Sequence, residues 1–108
     1  MAQQIVIRFE NEEYALEYSR DAIVEMERQG FSLSELGNKQ VTMSQILFEG
    51  AFVKNHRYTK RKLIDRIFER VKNKPALIEE LAKMCAETSN SLFDDDDNES
   101  GNAEWVTR

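Results

Sequence analysis

His56 is the only histidine of the chain and Cys85 the only cysteine, so any nucleophile and base chemistry would rest on that one pair. A cysteine nucleophile needs a base within hydrogen-bond reach. Here the histidine falls in a segment that reads as a loop, while Cys85 lies on the apolar stripe of a helix. A cysteine in that setting behaves as a small buried hydrophobe. A zinc site needs about four ligands at short spacings, and neither C-x-x-C nor H-x-x-x-H occurs. The run Asp94–Asp97, followed by Asn98 and Glu99, offers many oxygens. It lacks the alternation of ligand and spacer, the central glycine and the flanking helices of a calcium loop. Gly30, Gly37 and Gly50 make no phosphate-cradling motif. The carboxylate pairs Glu12-Glu13 and Glu79-Glu80 sit in polar surroundings with no apolar cleft to shift a pKa. No catalytic residue, metal or cofactor is therefore expected, and the chain reads as a binding protein rather than an enzyme.

The charges are segregated. Residues 1–92 carry 14 acids and 14 bases, whereas Asp94, Asp95, Asp96, Asp97, Glu99 and Glu104 face only Arg108 in residues 93–108, which accounts for the whole net charge of −5. Within the body, residues 10–35 hold eight acids and two bases, and residues 54–74 hold nine bases and two acids. Such asymmetry bears on solubility and partner choice rather than on fold. Lys60, Arg61 and Lys62 open a helix where the dipole prefers anions, so that end should welcome an acidic partner. Duplex nucleic acid is disfavoured by a sequence pI near 4.9 and by the lack of any nucleic-acid motif. Trp105-Val106 closes an acidic tail that has no core to join, the setting of a short docking element.

The elements that must position these residues follow from periodicity. Ile5, Ile7 and Phe9 alternate on one face, and Tyr14, Leu16 and Tyr18 do the same after the polar stretch 10–13, so a β-hairpin with a four-residue turn is expected. A lone hairpin is marginal in water and must lie on something. Ser19 should cap a first helix with Ala22, Ile23 and Met26 inward, ended by a Schellman cap at Gly30 and Phe31. Residues 32–35 have capping-box spacing but are soon followed by Gly37, which leaves a turn or two of helix. A second capping box, Thr42 to Gln45, should open a central helix through Val53, apolar over most of its circumference.

Thr59 should cap a third helix over about 60–72 with the stripe Leu63, Ile64, Ile67, Phe68 and Val71. Pro75 suits the first turn of a fourth, carrying Leu77, Ile78, Leu81, Ala82 and Cys85 and fraying through 88–91. The fold expected is α+β and mainly helical, a hairpin packed on about four helices over residues 1–92. An acidic tail over 93–108, too poor in apolar residues to fold, should follow. No apolar run approaches the ~20 residues of a membrane helix. The start Met1-Ala2-Gln3-Gln4 lacks the pattern of a signal peptide, so a cytoplasmic location is expected.

The order of these elements resembles the small tail assembly chaperones of long-tailed, siphovirus-type bacteriophages and prophages. The segment SRDAIVEMERQGFSLSELG over 19–37 carries the resemblance, with Glu27, Gly30 and the turn Ser32–Leu36 at the family's acidic, glycine and sl-x-el places. MSQILFEGAFVKN over 43–55, with Ile46 to Ala51 matching the family's apolar and small residues, and the Thr-initiated helix complete it, so that about residues 4–85 are covered. The tail with Trp105 and the strongly basic third helix depart from the pattern.

The resemblance implies a non-enzymatic chaperone that coats the tape-measure protein and helps recruit tail-tube protein. It would act in the host cytoplasm and be absent from the mature virion, with many such genes giving a longer frameshifted product. On that reading Phe48, Phe52, Ile64 and Phe68 would include positions beyond one small core and leave an apolar groove for client helices, or for self-association. The acidic tail would screen Lys60, Arg61 and Lys62. The alternative is a small regulator contacting nucleic acid or its machinery through the basic third helix.

Overall fold

The computed structural model describes residues 4–93 and 106–107. Strands β1 (Ile5–Phe9) and β2 (Glu12–Leu16) form an antiparallel hairpin in which Phe9 faces Glu12, Ile7 faces Tyr14 and Ile5 faces Leu16. The turn is two residues long, not four. Glu10 and Asn11 have φ of 51° and 68°, the left-handed pair that matches the twist of a two-residue hairpin. Glu12 and Glu13 consequently extend β2 rather than the turn, and Tyr18 falls beyond the strand.

Helix α1 (Arg20–Arg28) begins as its sequence indicates, with the Ser19 hydroxyl accepting from the Ala22 N–H at 3.2 Å. It ends in the Schellman arrangement. The Phe31 N–H donates to the Met26 carbonyl and the Gly30 N–H to the Glu27 carbonyl, with Gly30 at φ 97°. A short 3-10 turn, Leu33–Glu35, follows.

Helix α2 (Gln40–Gly50) starts earlier than its capping box implies. Lys39 is the cap residue, and Thr42 lies inside the helix, exposed. The preceding turn runs almost directly into it: the Lys39 N–H bonds the Glu35 carbonyl, and the Met43 N–H bonds the Lys39 carbonyl. Helical geometry is thus established before Thr42 could act as a cap. Helix α3 (Arg61–Arg70) likewise starts after Lys60, with no side-chain cap from Thr59. Helix α4 (Lys74–Ser91) has Pro75 in its first turn and stays helical through 88–91, where fraying is expected from sequence. The Ser91 hydroxyl donates to the Thr88 carbonyl, tying the last turn down.

The hairpin packs on the four helices, and α2 is central, touching each of the other three. Leu16, Met26, Leu47, Phe48, Phe52, Ile67, Leu81 and Cys85 are the largest fully enclosed side chains. Burying aliphatic and aromatic side chains is worth roughly 1.5–3 kcal/mol each, so this cluster dominates the stability. At Gly50 the helices approach so closely that a Cβ would overlap the Met26 side chain.

Candidate functional site

Helix α2 leaves its C-terminal carbonyls to be satisfied by other parts of the chain, as any helix end must. The Tyr18 hydroxyl donates to the Leu47 carbonyl at 2.6 Å, and the Glu17 N–H donates to the Ala51 carbonyl at 3.0 Å. Burial holds the Tyr18 phenol well above its usual pKa, so it remains a donor. One turn later the Ala15 N–H donates to His56 Nε2 at 2.9 Å, and Asn55 Nδ2 donates to the Ala15 carbonyl at 3.1 Å. The His56 ring lies against Tyr14 and Phe52, at centroid distances of 5.3 and 6.4 Å. The single histidine is therefore an acceptor that seals the outer edge of β2. Its role could not be read from sequence, because the bond joins residues 41 positions apart.

The opposite edge of the hairpin is bare. Ala15 points its N–H and C=O away from β1, so its cross-strand partner Val6 points its own away from β2, and Arg8 follows two residues on. No other described residue bonds these outward groups. Beside them lies a hollow of about 300 Å³ floored by Ile7, Phe9, Ile67 and Val71, with Arg70 and Lys72 on its rim.

The second opening is larger. A cleft of about 600 Å³ lies between the start of α2, the end of α3 and the first half of α4, with Leu36, Val41, Phe68, Pro75, Ile78 and Ala82 as its apolar walls. Val41 is 83% exposed. Lys74 and Glu79 supply charge at the margin, although the Lys74 ammonium already donates to the Glu69 and Val71 carbonyls.

This cleft is not the groove expected from Phe48, Phe52, Ile64 and Phe68. Phe48, Phe52 and Ile64 are core, buried against one another and their neighbours, with the Phe48 ring 5.2 Å from Phe52 and 4.8 Å from Phe68. Only Phe68 reaches a surface opening, where it forms part of the cleft wall. The useful signal was Val41, an apolar residue in a polar stretch. Starting the helix after Thr42 placed it outside any element.

A model of the family described as "Domain of unknown function (DUF5055)" matches residues 1–108. The chain belongs to the DUF5055 family. No curated protein and no solved structure matches it.

In this DUF5055 chain the basic start of α3 is partly neutralised within the body. Arg61 pairs with Glu49 at 3.1 Å, which relieves the cation at the helix N-terminus that sequence left uncompensated. Burial nevertheless raises the Glu49 pKa, with Arg61 opposing. Lys60 and Lys62 are exposed and have no ion-pair partner among the described residues. Cys85 is enclosed, and burial pushes its thiol up to about 11, so it is packing rather than nucleophile. Trp105 lies outside the described residues, as do Asp94–Asp97, Glu99 and Glu104, and Val106 is exposed. Among the described residues no group of His, Cys, Asp and Glu could hold a metal ion, and no helix is long and apolar enough to cross a membrane.

Proposed function

We propose that the protein is a non-enzymatic assembly chaperone of long-tailed bacteriophages, which holds helical segments of the tape-measure protein and helps deliver tail-tube subunits to it. The observation that carries this reading is the open apolar cleft between α2, α3 and α4. Amphipathic helices bind other proteins by laying an apolar face into such a groove, with anchors at helical spacing. Its walls stand on a core that is complete without an occupant, so a client can come and go without unfolding the carrier. The hairpin followed by the 19–37 and 43–55 segments supports the same reading, since these carry the resemblance to tail assembly chaperones. The client surface proposed is Val41, Phe68 and Ile78, in place of the enclosed Phe48, Phe52 and Ile64.

The test is a pull-down of tagged protein from cells making a complete phage tail gene set, with nuclease treatment as control and mass spectrometry as readout. Retention of tape-measure and tail-tube proteins, insensitive to nuclease and lost in Val41→Asp, is the expected result. Val41 is exposed, so this substitution should leave the melting temperature nearly unchanged. Nuclease-sensitive recovery of nucleic-acid-associated proteins would overturn the reading.

A further inference from the structure

We infer that the open edge of β1 is a strand-addition site, and that its occupant is the C-terminal segment Glu104–Thr107 of a second copy of this chain. The inference is independent of the client-binding reading, since it uses the opposite side of the hairpin from His56 and none of the cleft walls.

Val6 and Arg8 each present an N–H and a C=O along the same edge with no partner among the described residues. An exposed strand edge with free backbone groups is a template for another chain. Main-chain bonds then give affinity, and pockets for alternate side chains give specificity. The edge has such a pocket in the hollow beside Ile7 and Phe9.

The C-terminal segment fits both features in one register. Glu104-Trp105-Val106-Thr107 contains no proline or glycine, and tryptophan, valine and threonine favour extended backbone. Antiparallel pairing with Trp105 opposite Ile7 sets Glu104 across from Arg8 and Val106 across from Val6. Those two outer pairs then exchange the hydrogen bonds that Val6 and Arg8 offer. Trp105 falls in the non-hydrogen-bonded pair, where side chains come closest, on the face that carries Ile7 and Phe9 and therefore over the hollow. In parallel pairing Glu104 would face Val6 and Val106 would face Arg8, losing both matches. The second copy is favoured over the same molecule because Val106 stands 70% exposed and makes no backbone hydrogen bond to its own β1.

Trp105 is the only tryptophan, so its fluorescence reports the pairing directly. In the full-length protein its emission should shift to the blue as concentration rises, in step with a mass increase in sedimentation equilibrium. Hydrogen exchange at the Val6 and Arg8 amides should slow over the same range. Arg8→Glu and Glu104→Arg should each weaken self-association by about fivefold or less, as expected of a cross-strand charge pair. The double variant should restore it. Arg8 already pairs across the hairpin with Glu13 at 2.9 Å, so the charge exchange is made in a Glu13→Gln background. There the new carboxylate of Arg8→Glu faces no like charge, and the restoring effect of Glu104→Arg remains readable. A protein that stays monomeric with solvent-exposed Trp105 emission at all concentrations would overturn the inference. A blue shift independent of concentration would overturn the assignment to a second copy.

Discussion

The two edges of the hairpin are built from similar residues and meet different fates. β2 is closed by the chain that leaves α2: His56 takes the Ala15 N–H, Asn55 gives to its carbonyl, and Ala51 takes the Glu17 N–H. Among the described residues, β1 receives nothing comparable. The difference shows how a two-stranded sheet, marginal alone, becomes part of a domain. One edge is fused to the helices through long-range hydrogen bonds to its backbone. The other rests on them through the half-buried Ile5, Ile7 and Phe9 and through Arg66 of α3, which lies 5.7 Å from the Phe9 ring centroid and pairs with Glu10 at 3.1 Å. The long-range bonds are concentrated on the β2 side, and the backbone groups without a described partner are left on the β1 side.

Proline placed at either of two directly facing residues tests this most sharply. Val6 and Ala15 are cross-strand partners whose N–H groups both point away from the ladder, so neither substitution removes a hairpin bond. Ala15→Pro deletes the bond to His56 and presses a ring against the imidazole. A cost of about 2–3 kcal/mol is expected from an acceptor left unpaired together with the clash. Val6→Pro removes only an outward donor on an edge strand and should cost about 1 kcal/mol or less. Urea denaturation of both variants provides the comparison, and equal losses would contradict the asymmetry. His56→Ala should follow at about 2 kcal/mol, because it strips the Tyr14 and Phe52 contacts and leaves the Ala15 N–H without its partner. Its midpoint in urea should fall with an unchanged slope if the domain still unfolds in one step.

Most of the architecture was legible because it is local. Ser19, Gly30 and Phe31 act within a few residues of α1, and the stripe of α3 follows from its period alone. The two-residue turn was harder, because Glu10-Asn11 is not the glycine-containing pair that usually marks it. Thr42 and Thr59 misled for a related reason. A capping side chain acts only if the chain has not already entered helical geometry, and that depended on the turn before α2 and on Lys60 before α3. The enclosure of Phe48, Phe52 and Ile64 depends on which faces the hairpin and α4 cover, and no single-helix period contains that information. Neither the cleft nor the bare edge of β1 is a sequence feature at all, since both exist only where separate elements fail to meet.

Tyr18→Phe examines the buried end of the sealed side. The hydroxyl satisfies a carbonyl at the end of α2, where the Ala51 N–H has turned to Phe48 instead. Losing it leaves the Leu47 oxygen buried and unpaired, for a cost of about 1.5 kcal/mol. Thermal unfolding of the variant, whose ring still fills the same space, isolates that bond from packing.

The smallest effect expected belongs to Glu17, where the two sides of the hairpin come together. Its carboxylate accepts from Lys54 at 2.8 Å, from Gln4 ahead of β1 at 3.0 Å and from Asn55 at 3.1 Å. The Lys54 hydrogen bond foremost, then those from Gln4 and Asn55, hold its pKa at about 2, against 4.5 for a free glutamate. A carboxyl whose folded pKa lies below its unfolded value stabilises fully above the unfolded value and loses that contribution as pH falls toward the folded one. The Glu17 contribution should therefore be complete above pH 4.5 and fade between 4.5 and about 2. Lys54 is 42% exposed, so water screens the pair and the contribution should be no more than about 1 kcal/mol. Melting temperatures of the native protein and Glu17→Gln, compared from pH 2 to pH 6 in low salt, cancel the other carboxylates. The gap should be widest at pH 6 and close near pH 2. A gap that stays constant across the range would mean that the clasp between Gln4, Lys54 and Asn55 does not depend on the charge, and that the β1 side is held at this end by packing alone.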